Sequence, residues 1–151
     1  MREIKFRAWH TQQGKMYSAE EMAADQLTLL PTGSFINVSG DSTRLSKILP
    51  RDIFIPMQYT GLKDKNGVEI YEGDTVKLTN PKYQIQKKVL IGEVIFSYAS
   101  FGVDIKRVDE WTNYTEGVEP SQTIYFLTIS GSNNIEVIGN IYENKGLVVN
   151  G

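Results

Sequence analysis

One histidine, His10, and no cysteine leave this 151-residue chain few routes to chemistry. A transition-metal site built on a single imidazole would have to lean on carboxylates, and no carboxylate cluster follows at ligand spacing. Ser-His-Asp catalysis would need the same His10, and no nucleophile-elbow motif accompanies it. His10 therefore reads as a surface histidine in a turn. Disulfides and cysteine nucleophiles are excluded together.

The carboxylates do no better. Asp64-Lys65-Asn66-Gly67 glances at a calcium loop, but with Gly67 as the invariant glycine Leu62 takes the first ligand position and Gly73 the last. The match fails at both ends, and a tight turn explains the stretch. Glu69 with Glu72, or Asp109 with Glu110, could be cast as a glycosidase pair. Each of these acids sits beside a turn, where solvated carboxylates are ordinary. The expectation is a non-enzyme with no catalytic residue, no metal and no cofactor.

Two binding surfaces remain. Lys77, Lys82, Lys87 and Lys88 fall in a stretch without an acid, and Tyr83 lies among them. A basic hairpin with an aromatic can hold nucleic acid through phosphate contacts and base stacking. The opposing reading is that lysines keep an exposed hairpin soluble and discourage edge pairing. A net charge of −2 favours the second, because no global basic field exists. Trp111 and Tyr114 stand in a polar loop with Asp109, Glu110, Glu116 and Glu119. Exposed aromatics in a long loop are candidate protein-contact anchors; the same loop could instead fold down and bury Trp111.

The elements that must position these residues are mostly strands. Arg2 to Trp9 alternates, with Ile4, Phe6 and Ala8 on one side and Glu3, Lys5 and Arg7 on the other. Thr11 to Lys15 turns the chain, and Met16-Tyr17 starts a return strand. Ser18-Ala19-Glu20-Glu21 has the form of a capping box and predicts the one helix, running to about Asp25. Ser34 to Val38 reads as a strand. Pro50 and Pro56 bracket Ile53-Phe54-Ile55, which suits an edge or connector. Asn66-Gly67 and Glu72-Gly73-Asp74 are reversals. From Thr75 onward about five short strands follow: one to Leu78, then Val89 to Phe96, Phe101 to Val108, Thr123 to Ile129 and Ile135 to Ile138. Val89 to Phe96 is apolar on both faces and should be central. Ser97-Tyr98-Ala99-Ser100 should turn it into its neighbour. The expected architecture is mostly β: an α+β part over 1–55 with one short helix, joined to a five-stranded SH3-like antiparallel barrel over 56–151 as one compact unit. The opening residues show no signal-peptide core, and no stretch approaches a membrane span, so a cytoplasmic protein is expected.

Three blocks carry a resemblance: Arg2-Glu3-Ile4-Lys5-Phe6-Arg7-Ala8-Trp9; Gln58-Tyr59-Thr60-Gly61-Leu62-Lys63-Asp64-Lys65-Asn66-Gly67 with Ile70-Tyr71-Glu72-Gly73-Asp74; and Glu136-Val137-Ile138-Gly139-Asn140-Ile141-Tyr142-Glu143-Asn144. In this order they resemble the YopX family of bacteriophage and prophage proteins. The resemblance implies a phage-encoded, barrel-like cytoplasmic protein, and it assigns Trp9, Tyr59, Gly61, Asn66, Gly67, Tyr71, Gly73, Asp74, Gly139 and Asn140 to structural motifs. It implies no activity. Two positions depart from the pattern: His10 stands where an acid is usual, and Lys145-Gly146 replaces a proline. The resulting expectation is an interaction or assembly protein whose partner is a second copy or a phage or host protein. The alternative is a nucleic-acid-binding module using Lys77, Lys82, Tyr83, Lys87 and Lys88.

Overall fold

The computed structural model describes residues 3–38, 48–50, 52–79, 89–108, 124–126 and 134–147. The chain divides into two compact units, Met1–Tyr59 and Thr60–Gly151.

In the first unit, β1 (Phe6–His10) pairs antiparallel with β2 (Lys15–Tyr17) on one side and on the other with the first half of a long strand beginning at Phe54. Strand period two turns Phe6, Ala8 and His10 to one face. That face feeds a core of Ala8, Met22, Phe35 and Phe54. Helix α1 (Ala19–Ala24) is too short to persist alone. Its start is fixed as the sequence predicts: the Ser18 hydroxyl accepts the Glu21 N–H at 3.1 Å, and the Glu21 carboxylate accepts the Ser18 N–H at 2.9 Å. Met22 anchors it from the buried side. Three short strands, β3 (Leu27–Leu29), β4 (Phe35–Asn37) and β5 (Ile48–Leu49), form a separate antiparallel sheet in that order.

His10 corrects the sequence reading. It is the last residue of β1, 8% exposed, with its ring edge-on to Phe54 at 4.4 Å between centroids. Its Nδ1 accepts the Gln13 N–H at 3.3 Å. The strand runs one residue further than Trp9, and the alternation that buries Ala8 buries His10 as well.

The strand β6 (Phe54–Lys63) carries Pro56 opposite Ala8 in the β1 ladder, so this proline sits inside a paired strand and not in a connector. The far half of β6 turns at Asn66-Gly67 into β7 (Glu69–Tyr71), with Gly67 at φ 83°. A second reversal, with Gly73 at φ 77°, opens β8 (Asp74–Thr79). Then come β9 (Val89–Ser97), β10 (Ser100–Val108), β11 (Ile124–Phe126) and β12 (Ile135–Asn140).

These five strands form one antiparallel sheet in the order β11-β10-β9-β8-β12, with β9 in the middle as its two apolar faces require. Val76, Val94 and Val103, each fully buried, line one face with Ile70, Leu90, Ile105 and Ile135. The register shifts, as at a β-bulge, between Ile105 and Arg107 on β10 and between Val137 and Gly139 on β12. The sheet curls without closing: β11 and β12 lie at opposite edges, and no pairing joins them among the described residues. The expected closed barrel is a half-barrel. Alternation identified the strands correctly, but closure depends on tilt and stagger, which alternation does not encode.

At Gly92, β9 and β10 approach closely. A Cβ there would lie 2.5 Å from the Asp104 carbonyl oxygen and 2.6 Å from Val103 Cγ1. Gly92→Ala is expected to lower stability by about 1–3 kcal/mol through overpacking. Urea denaturation checks this, and an unchanged midpoint would contradict the close approach.

Candidate functional site

The turn-associated acids and amides, the first place to look for chemistry, are committed to the backbone. Asp64, 6% exposed, accepts the N–H groups of Asn66 (2.8 Å) and Val68 (2.9 Å) on Oδ1 and that of Val137 (3.0 Å) on Oδ2. Burial pushes its pKa up, but the three N–H bonds together, helped by Lys65, outweigh that and hold the carboxyl below the usual aspartate range. Asp74 Oδ2 accepts the Tyr71 N–H at 2.7 Å, closing the second reversal. The Thr60 hydroxyl donates to the Ile70 carbonyl and accepts the Leu62 N–H. Asn140 Oδ1 accepts from the Tyr142 and Glu143 N–H groups, and its Nδ2 donates to Glu143. Asn144 Oδ1 in turn accepts the Asn140 N–H, and a Cβ on Gly139 would strike that oxygen at 2.5 Å. Glu69 accepts the Tyr71 hydroxyl at 2.7 Å.

A second set of groups is brought together only by register. Thr75 on β8 stands directly across from Glu93 on β9, and Glu93 directly across from Asp104 on β10. The three side chains therefore share the face opposite Val76, Val94 and Val103. Thr75 is fully buried, and its hydroxyl has no hydrogen-bond partner among the described residues. Glu93 and Asp104 are half-buried, and Lys106 donates to Asp104. Burial pushes the Glu93 carboxyl up; Lys106 pulls it down, while Asp104 and Glu72 push it further up. Burial likewise raises the Tyr142 phenol, with Glu93 and Glu72 adding to it. Residues 72, 75, 93, 104 and 142 carry no common spacing, so sequence reasoning missed the group. The strand alternation was visible, but which strand faces which was not.

The tip of the β9–β10 hairpin is the third feature. Tyr98 (φ 50°) and Ala99 (φ 60°) both hold the positive φ that a type I′ reversal demands, without glycine or asparagine. Each costs roughly 1 kcal/mol or more in that conformation. Tyr98 is 82% exposed, and Phe96 is 53% exposed with its ring edge-on to Phe101 at 5.1 Å. From Val94 to Val103 there is no charged residue.

Among the sequence-predicted contact residues, Lys77 lies on β8 opposite Glu136 and Ile91. Lys82, Tyr83, Lys87, Lys88, Trp111 and Tyr114 lie outside the described residues, as do Asp109 and Glu110. Among the described residues no group of three or more His, Cys, Asp or Glu can hold a metal ion, and no helix is long and apolar enough to cross a membrane.

Residues 5–148 match the family model of the YopX protein. The chain belongs to the YopX family. Its fold is similar to the crystal structure of protein EF1440 from Enterococcus faecalis, with 25% identity over 98% of this chain and 99% of that one and a TM-score of 0.58. It is also similar to that of protein yopX from Bacillus subtilis, with 20% identity over 98% and 97% and a TM-score of 0.57. No curated protein matches. The YopX blocks quoted from the sequence thus include the residues that tie turns to strands: Asp64, Gly67, Gly73 and Asp74 shape the two reversals, and Gly139 and Asn140 shape the turn after β12. Trp9 is half-buried on β1 and Tyr59 is buried on β6. Lys145–Leu147 makes a single 3-10 turn. YopX proteins are encoded by phages and prophages and have no known biochemical function.

Two predictions follow from the carboxylates. Asp64→Asn replaces an acceptor oxygen with an NH2 group, leaving a buried N–H unpaired, and is expected to cost about 1–3 kcal/mol at neutral pH. The wild-type advantage exists above the ordinary aspartate pKa and is lost as pH falls through the lowered native value. Urea titrations at several pH values measure it. Glu93 has the opposite sign: its raised pKa means ionisation works against folding above the ordinary glutamate range. Glu93→Gln should therefore be more stable than wild type at neutral pH, with the difference vanishing in acid. A Glu93→Gln chain less stable at neutral pH would contradict that.

Proposed function

We propose that this YopX protein is a non-enzymatic phage accessory protein that acts by protein contact inside the bacterial host, and that the β9–β10 hairpin tip is its contact surface. The observation that carries this reading is the Tyr98-Ala99 turn. Two L-residues are held at positive φ, at a cost, and the first presents its aromatic ring to solvent. Backbone strain of this kind concentrates at binding and catalytic sites. Tyrosine is also among the residues enriched in binding hot spots. Phe96 adds apolar area beside it, and the absence of charge from Val94 to Val103 lets a partner cover the tip without stranding an ion. The Trp111–Tyr114 loop is a further candidate contact in the same reading.

Tyr98→Gly separates contact from fold. Glycine adopts positive φ without strain, and an 82%-exposed ring contributes little packing. Stability should hold or rise by up to about 1 kcal/mol. Capture of a partner from lysogenic or infected cells by the immobilised chain should weaken roughly thirtyfold, a hot-spot loss of about 2 kcal/mol. A protein captured equally well by both chains would contradict the assignment of the tip. Light scattering on the two chains reports whether the partner is a second copy.

A further inference from the structure

We infer that the row Thr75–Glu93–Asp104, with Glu72 and Tyr142 beside it, receives one arginine side chain of the protein that docks on the β9–β10 hairpin. The inference rests on the hairpin being a contact surface and names the chemistry of what it contacts. Two independent observations meet here. The first is charge: Asp104, directly across from Glu93 on β10, and Glu72 both act on Glu93, and Lys106 pairs with Asp104. The second is the Thr75 hydroxyl, wholly buried on the Glu93 side of the sheet and without a partner among the described residues. Buried polar atoms are nearly always paired, so an orphan beside a carboxylate marks a place where something is to be completed.

Several features narrow the ligand. The acids do not converge as a metal cluster among the described residues, so a compact ion bound by three carboxylates does not fit. A guanidinium carries five N–H donors in a plane and can serve carboxylates that stand apart. It stays charged at every relevant pH, and its weak hydration lowers the cost of entering a half-buried row. A second copy of this chain is a poor occupant. A two-fold contact through this face would set the same acids against each other. Thr75 is fully covered while Glu93 and Asp104 are half-buried, so the row is closed at its β8 end and open on the side of β9 and β10. A guanidinium on the open side meets Glu93 and favours its charged form. Glu93 and Tyr98 are five residue steps apart, roughly 17 Å when extended. One partner segment can therefore touch both.

The test follows the Glu93 carboxyl carbon by 13C NMR in the full chain, titrated with N-acetyl-arginine amide. Sodium chloride and N-acetyl-lysine amide at matched ionic strength are the controls. The expected result is a saturable lowering of the Glu93 pKa by about 1 unit with the arginine probe. A several-fold weaker response is expected in Thr75→Val, which keeps the shape of the side chain, and in Asp104→Asn. A response no larger than that to sodium chloride, or one equal for the arginine and lysine probes, overturns the inference. So does a full response in Thr75→Val. Tyr98→Gly should keep the probe response while losing partner capture. Failure of the probe therefore counts against the arginine row alone, and failure of Tyr98→Gly to lose capture counts against the hairpin reading alone.

Discussion

The Asp64 carboxylate holds together parts of the second unit that are far apart in sequence. It sits at the start of the β6–β7 reversal, and two of its three bonds shape that reversal. The third reaches Val137 on β12, 73 residues later. A nearly buried carboxylate is costly unless its lone pairs are filled, and here they are filled by N–H groups that the turn and the bulged strand would otherwise leave unpaired. The Lys65 N–H donates to the Ile135 carbonyl, and its ammonium meets Glu136 at 2.6 Å, so the contact continues along β12. With β12 placed, the β8–β12 ladder is set, and Thr75, Glu93 and Asp104 align across the next strands.

This arrangement explains why the polar residues of the YopX blocks point to no reaction. Asp64, Asp74, Thr60, Asn140 and Asn144 are occupied in organising backbone, as turn and cap residues commonly are. The groups proposed here for recognition stand elsewhere, on the Glu93 face of β8–β10 and at the hairpin tip. Those positions lie outside the quoted blocks, apart from Glu72 and Tyr142.

Much of the scaffold was legible in the sequence, because its causes are local. Ser18 and Glu21 specify the helix start within four residues, Asn66-Gly67 specifies a hairpin, and apolar residues on both faces of Val89–Phe96 identify the central strand. His10 was misread because the alternation ends on it, and a histidine after Trp9 looks like the beginning of the turn. Pro56 suited an edge or a connector, and its pairing with β1 excludes only the connector. The open sheet and the row from Thr75 to Asp104 were not legible, since both follow from strand register. Register is set by Gly92, by the two bulges and by Asp64 reaching Val137, none of which alternation reveals.

The central claim is that Asp64 acts as a backbone clamp joining one turn to one distant strand. Amide hydrogen exchange in the wild-type chain tests it most directly. The Asn66, Val68 and Val137 N–H groups should share one protection at neutral pH, keep it below the ordinary aspartate range, and lose it together when Asp64 is protonated. Exchange of Val137 at the rate of an open amide at neutral pH, or loss of protection at Val137 independently of Val68, would contradict the account.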